Sequence, residues 1–256
     1  MGVLDQIVTQ KRSELNALRS RRLPSPCPTV PVELKRKPDG SLRILAENKR
    51  RSPSAGPLSS ALSAEERASA YERAGASMIS VLCDSHFFGG DYDDLLAVRR
   101  GSRLPLLCKE FIIDEIQLDC ARAYGASAAL LIVRCVPPDV LYRLFQAARE
   151  RGLLPLVEVA TAEEAALALE IGATTIGVNA RDLDTLKMHK DRAAAILQSL
   201  PKHINKLHLS GVATAEDIRN LVQGPADAVL IGETLMRQDD PEPLLRSFVH
   251  AASPSV

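Results

Sequence analysis

The chain has 256 residues, 46% of them hydrophobic and 25% charged, which suits one large α/β barrel or two ordinary domains. Lys and Arg together equal Asp and Glu at 32 each, so no net basic field exists to hold nucleic acid or an acidic membrane, and any anion must be met by a local site. Aromatics are only 4% and Trp is absent, so the core has to rest on Leu, Ile, Val and Ala.

The N-terminal MGVLDQIVTQKRSEL is charged and amphipathic with no apolar h-region, and no run in the chain approaches the length of a membrane span; a cytoplasmic protein is expected. Val3 to Arg22 reads as a helix, with Val3, Leu4, Ile7, Val8, Leu15 and Leu18 on a broad apolar face and RSRR at its C-terminal end. Leu23 to Val32 is Pro-rich and extended. Five cysteines, Cys27, Cys83, Cys108, Cys120 and Cys135, are scattered without a CxxC, which argues for buried thiols in a reducing cytosol and against zinc or a disulfide framework.

Arg43 to Gly56, RILAENKRRSPSAG, organises the rest. A short buried strand, Ile44-Leu45-Ala46, runs directly into Glu47, Lys49, Arg50 and Arg51, then a Ser-Pro-Ser turn. A carboxylate and an ammonium two residues apart at a strand end point to the same side of a sheet. In a barrel lumen they would share a confined polar site; at a sheet edge they would be an ordinary surface salt bridge.

A strand–helix alternation follows. Strands are expected at Met78–Leu82, Leu104–Lys109, Ala128–Val133, Leu154–Val159, Thr175–Asn179, Ile204–Ser210 and Ala228–Ile231. Helices are expected at Ser63–Ala74, Tyr92–Arg100, Glu115–Tyr124, Pro138–Arg151, Ala162–Ile171, Asp191–Leu200, Ala215–Val222 and Pro241–Ala252. Gly75, Gly125 and Gly152 stand just past three of these helices, Pro138 opens one, and Thr161 with Glu164 caps another. The strands are continuous apolar runs, which argues for parallel pairing with both faces buried. Eight such units predict a (β/α)8 TIM barrel over residues 43–256, with residues 1–42 as an N-terminal helical extension and Pro-rich arm packed on it. A doubly wound open sheet fits less well, because no GxGxxG follows the first strand.

Barrel sites lie at the C-terminal strand ends. This chain places Glu47 and Lys49 there on the first strand, Lys109 on the third, Glu158 on the fifth, Asn179 with Arg181 on the sixth, Ser210-Gly211 on the seventh and Gly232-Glu233 on the eighth. Two lysines, two carboxylates and an amide converging on one mouth suggest acid–base chemistry. The glycine-containing loops after the seventh and eighth strands, each leading into a helical turn, suit a phosphate group.

These motifs together resemble the indole-3-glycerol-phosphate synthase family. The resemblance runs through AENKRRSPSAG at 46–56, ISVLCDSHFFGGDYDDL at 79–95, LPLLCKEFIIDEIQL at 104–118, IGVNARDL at 176–183, SGVATAEDI at 210–218 and AVLIGETLMR at 228–237. It implies ring closure, decarboxylation and dehydration of 1-(2-carboxyphenylamino)-1-deoxyribulose 5-phosphate to indole-3-glycerol phosphate in tryptophan biosynthesis, with no metal or organic cofactor and with partner enzymes of the same pathway. It further implies Lys109 as general acid and Glu158 as the second acid/base, with Lys49 on substrate anions and Glu47 and Asn179 orienting substrate and lysines. Ser52, Phe88, Phe111, Leu130 and Leu183 match the anthranilate pocket, and Arg181, Ser210, Gly211, Gly232 and Glu233 match substrate and phosphate positions. Two lysines in one pocket are expected to lower each other's pKa.

Three positions depart from the family pattern. Leu209 stands where a Glu usually precedes the Ser-Gly of the seventh strand, Asn48 replaces an apolar residue, and Asp91 stands where Ser is common. They leave open a paralogue with slowed or altered activity in a specialised indole pathway. Two rivals to the synthase remain at this level. One is a neighbouring phosphosugar isomerase, which the SPS and KEFIID stretches do not support. The second is a non-catalytic phosphate-ester-binding barrel, against which stand the intact polar residues at the strand ends.

Overall fold

The structure, a computed structural model, describes residues 2–52 and 56–254, without the side chain of Ser52. The expected Ser-Pro-Ser turn therefore lies largely outside the described residues.

Eight strands close into one parallel barrel: β1 (Arg43–Asn48), β2 (Met78–Leu82), β3 (Leu106–Lys109), β4 (Ala128–Ile132), β5 (Leu154–Val159), β6 (Thr175–Asn179), β7 (Asn205–Leu209) and β8 (Ala228–Ile231). Closure is made by β1 against β8, with Ile44 beside Val229 and Ala46 beside Ile231. Helices alternate with the strands, from α2 (Ala64–Ala74) and α3 (Asp93–Gly101) through α4 (Glu115–Ala123), α5 (Pro138–Glu150), α6 (Ala162–Glu170), α7 (Lys190–Ser199) and α8 (Ala215–Val222) to α9 (Glu233–Met236) and α10 (Glu242–Ala251). The extension contributes α1 (Val3–Ser20), packed against α4.

Strand alternation sorts the apolar residues into two clusters. Leu45, Met78, Leu107, Leu130, Leu156, Leu207, Leu209 and Leu230 fill the lumen. Ile44, Ala46, Ile79, Val81, Cys108, Val157 and Val178 face the helix layer. Both faces of every strand are therefore dry, which is why the strands read as unbroken apolar runs. The helices start and stop on local chemistry. Ser63 and Glu66 exchange hydrogen bonds across the first turn of α2, and Gly75, at φ 94°, closes it in a conformation that costs glycine nothing. The side chains of Thr161 and Thr214 accept from the backbone N–H groups of Glu164 and Asp217 at the heads of α6 and α8.

Several boundaries differ from the sequence expectation. β1 is longer than Ile44–Ala46 and carries Glu47 and Asn48 inside its ladder, because both still pair with β2. β7 stops at Leu209, one residue early, because Ser210 turns to φ 70°. A 3-10 turn, Val133–Cys135, extends the end of β4 without a separate sequence signal. The buried stripe of α1 is Leu4, Ile7 and Lys11, not a purely apolar face.

Candidate active site

Parity along the strands decides which side chains reach the cavity. Leu45 faces the lumen, so Glu47 and Lys49 do as well, while Asn48 pairs in register with the outer-layer Val81. The same count carries Leu107 to Lys109, Leu156 to Glu158 and Leu230 to Gly232. The cavity-facing residues of this set, with Asn179, line one space of about 290 Å³ at the C-terminal mouth.

Glu47 is the hub. Its Oε1 lies 2.6 Å from Lys49 Nζ and its Oε2 lies 3.2 Å from Lys109 Nζ. Burial alone would raise this carboxyl, but Lys109 and Lys49 hold it down at about 2. Mutual lowering of the lysines is not what Lys109 undergoes. Burial pulls its pKa down, yet Glu47 and Glu158 outweigh burial and hold it above the ordinary lysine value. The lysine repulsion expected from sequence is overcome because a carboxylate sits between the two ammonium groups.

Glu158 faces them from β5. Its Oε1 accepts the Asn179 side-chain amide at 2.8 Å, and Asn179 Oδ1 accepts the Arg181 backbone N–H at 2.9 Å. Burial raises the Glu158 carboxyl, and Lys109 and Asn179 only partly offset this. One cavity thus holds an ammonium kept protonated and a carboxyl biased toward its protonated form, an arrangement able to give and take protons at neighbouring points.

One end of the cavity is apolar. Phe88 and Phe111 lie with ring centroids 6.0 Å apart, beside Leu130, Ile132, Leu183 and Leu186. Val3 and Ile7 of α1 complete this wall. Sequence reading missed Val3, Ile7, Ile132 and Leu186 as lining groups. The first two are separated from the strand ends by the whole Pro-rich arm, and an apolar helix stripe carries no mark of what it covers. Ile132 could have been found, since it continues the Ala128–Leu130 parity.

The other end is built from backbone. Ser210 and Gly211 both have left-handed φ, 70° and 82°, and Thr234 Oγ1 donates to the Val212 carbonyl at 2.9 Å, tying the loop after β7 to the head of α9. Gly232 faces the charged hub: a Cβ there would fall on Glu47 Oε1 and within 3.0 Å of Lys49 Nζ. Arg181 and Glu233 also line this part of the cavity. The Glu233 carboxyl is held low, first by its hydrogen bond from Arg237. Of the residues expected from sequence, only Ser52 cannot be placed, because its side chain lies outside the described residues.

The departing positions have distinct surroundings. Leu209 is buried in the lumen cluster, in register with Asn179, and its Cδ1 lies 2.7 Å from where a Gly177 Cβ would stand. Asp91 forms an ion pair with Arg21 at 2.8 Å, just past the end of α1.

Comparison with known proteins finds relatives over the whole length of the chain. Residues 4–248 match a sequence-family model described as indole-3-glycerol phosphate synthase. An indole-3-glycerol phosphate synthase of an Exiguobacterium species is 40% identical over 256 residues, covering all of both chains. One from Leptospira interrogans is 41% identical over 242 residues, covering 93% of each. Among solved structures, 3-hexulose-6-phosphate synthase from Salmonella typhimurium superposes with a TM-score of 0.66 at 13% identity, covering 82% of this chain and 98% of its own. Thiamine phosphate pyrophosphorylase from Pyrococcus furiosus gives 0.63 at 16%, covering 84% and 98%. At such identities the two structures speak for the barrel alone.

Proposed function

This chain belongs to the indole-3-glycerol phosphate synthase family, and from that premise we propose how its cavity carries out the reaction and with which residues. The activity is that of a decarboxylating lyase of tryptophan biosynthesis: 1-(2-carboxyphenylamino)-1-deoxyribulose 5-phosphate is converted to indole-3-glycerol phosphate, CO2 and water.

The carboxyphenyl ring occupies the end walled by Phe88, Phe111, Leu130 and Leu183. The phosphate takes the backbone cradle of Ser210, Gly211, Gly232 and Glu233, with Arg181 beside it. The ribulose chain then spans the charged centre. Lys109 protonates the ketone oxygen as the ring carbon attacks it, and the new C–C bond places the aromatic carboxylate on a tetrahedral carbon. Loss of CO2 leaves its electron pair to rebuild the ring. Glu158, biased toward its protonated form, gives a proton to the hydroxyl, which leaves as water, and the carboxylate so formed takes the proton from the ring carbon beside the nitrogen, closing the indole double bond. Glu47 orients both lysines, Lys49 meets substrate anions, and Asn179 orients Glu158.

The observation that supports this reading best is the shared carboxylate. Glu47 holds Lys49 and Lys109 in one cavity, between an apolar end and a glycine-lined end. A cytoplasmic setting alongside the other enzymes of the pathway belongs to the same proposal. Among the described residues no helix is long and apolar enough to cross a membrane.

The test is an indole-fluorescence assay with purified protein and the synthetic substrate. Wild type should turn over and Lys109→Ala should lose all measurable turnover. Activity within a few-fold of wild type in that variant would remove Lys109 from its role.

A further inference from the structure

Lys11 lies far from the strand ends in sequence and is only 2% exposed. It sits at the C-terminal end of the buried stripe of α1, one turn after Ile7. Its Nζ meets three carboxylates: Asp84 Oδ2 at 2.7 Å, Glu14 Oε2 at 2.9 Å and Glu110 Oε2 at 3.1 Å. Asp84 and Glu110 are themselves buried. A buried charge cluster of this kind costs free energy and gives weak net stabilisation, so what it holds in place is of interest.

The second oxygens of the two buried carboxylates give the answer. Asp84 Oδ1 accepts the backbone N–H groups of Phe87 at 2.6 Å and Phe88 at 3.0 Å. Glu110 Oε1 accepts the backbone N–H of Phe111 at 2.7 Å. Phe88 and Phe111 are the paired rings of the apolar end. Each aromatic residue therefore hangs from a carboxylate whose other oxygen is bound by the same ammonium.

We propose that Lys11 is a positioning residue for the aromatic half of the substrate, setting Phe88 and Phe111 at their spacing and holding the Ile7 edge of α1 over the ring they contact. The proposal rests on the apolar end being the seat of the carboxyphenyl group. A second tether supports the same role for α1. The Leu4 backbone N–H donates to Asp184 Oδ1 at 3.3 Å, and Asp184 Oδ2 is held by Arg134 at 3.0 Å, beside the loop that carries Leu183 and Leu186. Burial raises the Glu110 carboxyl to about 7 against the pull of Lys11, so this carboxyl depends on its ammonium to stay charged. Lys11 touches no reacting atom in this scheme. It acts through the two phenylalanines and the helix.

Lys11→Met keeps most of the length of the side chain and removes the charge. In steady-state assays KM for the synthetic substrate should rise at least about ten-fold. The inhibition constant for inorganic phosphate, which engages only the glycine-lined end, should stay within about two-fold, with circular dichroism unchanged. A general loosening of the barrel would move both constants together, and that result, or a KM within about two-fold of wild type, overturns the proposal. Should Lys11→Met fail to fold, Asp84→Asn gives the same readout, because its amide oxygen can still accept from Phe87 and Phe88 while the ion pair to Lys11 is lost. A several-fold rise in KM with unchanged phosphate inhibition is expected, and an unchanged KM overturns the proposal. The two levels of the reading fail separately: wild type without turnover, or an active Lys109→Ala, would defeat the assignment of the site, whatever Lys11 does.

Discussion

Lys109 and Glu47 stand on strands that both flank β2, and their charged ends meet at 3.2 Å on the lumen side. The contact turns a pair of repelling lysines into a chain of alternating charge, Lys49–Glu47–Lys109. It also fixes the protonation state of the proposed acid, since Glu47 and Glu158 hold Lys109 above the ordinary lysine value despite burial.

Removing that carboxylate has two measurable consequences. In Glu47→Gln the alkaline limb of the kcat/KM profile should move to lower pH, because a group that raised the Lys109 pKa is gone, and kcat/KM should fall by about 10²-fold. The second consequence is in stability. Glu47 titrates at about 2 in the folded chain against an ordinary 4.5. Its contribution is therefore complete above about pH 4.5 and lost as pH falls through the interval down to 2. The shift corresponds to at most about 3 kcal/mol. Urea unfolding at about pH 7 and about pH 3 should show a smaller difference for Glu47→Gln than for wild type. An equal difference would mean that the pair contributes nothing net.

In the proposed mechanism Asn179 tunes the limb along which kcat falls as Glu158 loses its proton. Its amide donates to Glu158 at 2.8 Å and lowers a carboxyl that burial raises. Asn179→Ala removes the donor, so the Glu158 pKa should rise further, and the pH at which kcat falls through loss of the Glu158 proton should move up. Glu158→Gln should abolish that limb and lower kcat by about 10²- to 10³-fold. A pH–rate profile of Asn179→Ala that overlays wild type would detach Glu158 from the limb.

The barrel and the polar half of its mouth were legible in the chain for one physical reason. A strand has a period of two, so an apolar run that ends in charge declares which charge points inward, and Leu45-to-Glu47 and Leu107-to-Lys109 could be counted from the sequence. What could not be counted was distance between elements. Nothing in KEFIID says that Glu110 will meet Lys11 across 99 residues, and the Lys109 pKa shift has the opposite sign to the one expected because the position of Glu47 between the two ammonium groups is a tertiary fact. A hint existed in α1: Lys11 falls four residues after Ile7, on the apolar stripe, where an unpaired charge is costly.

Leu209 offers a test of the departure from the family pattern. It points into the lumen in register with Asn179 and packs toward Gly177 and Leu156. Leu209→Glu would return a carboxylate to the neighbourhood of the lysines at the expense of that packing. We expect a higher kcat together with a lower melting temperature, the latter corresponding to a loss of about 2 kcal/mol or more for burying a charge in place of a leucine. An unchanged or lower kcat would mean that the surrounding residues have adapted to leucine.

Gly232 joins the two halves of the proposed mechanism, because it lies between the phosphate cradle and the charged hub. Any side chain there must displace Glu47 Oε1 and crowd Lys49. Gly232→Ala should therefore damage catalysis as well as binding: kcat should fall by at least about ten-fold, since pushing Glu47 aside releases Lys109 from its orienting partner, and inorganic phosphate should inhibit more weakly. The paired control is Gly172→Ala. That glycine has positive φ, 85°, but nothing lies within 4 Å of its Cβ position, so the strain of a left-handed alanine should cost about 1 kcal/mol of stability and leave kcat alone. If the two variants lose activity alike, the effect at Gly232 is a general loss of stability and not displacement of the hub.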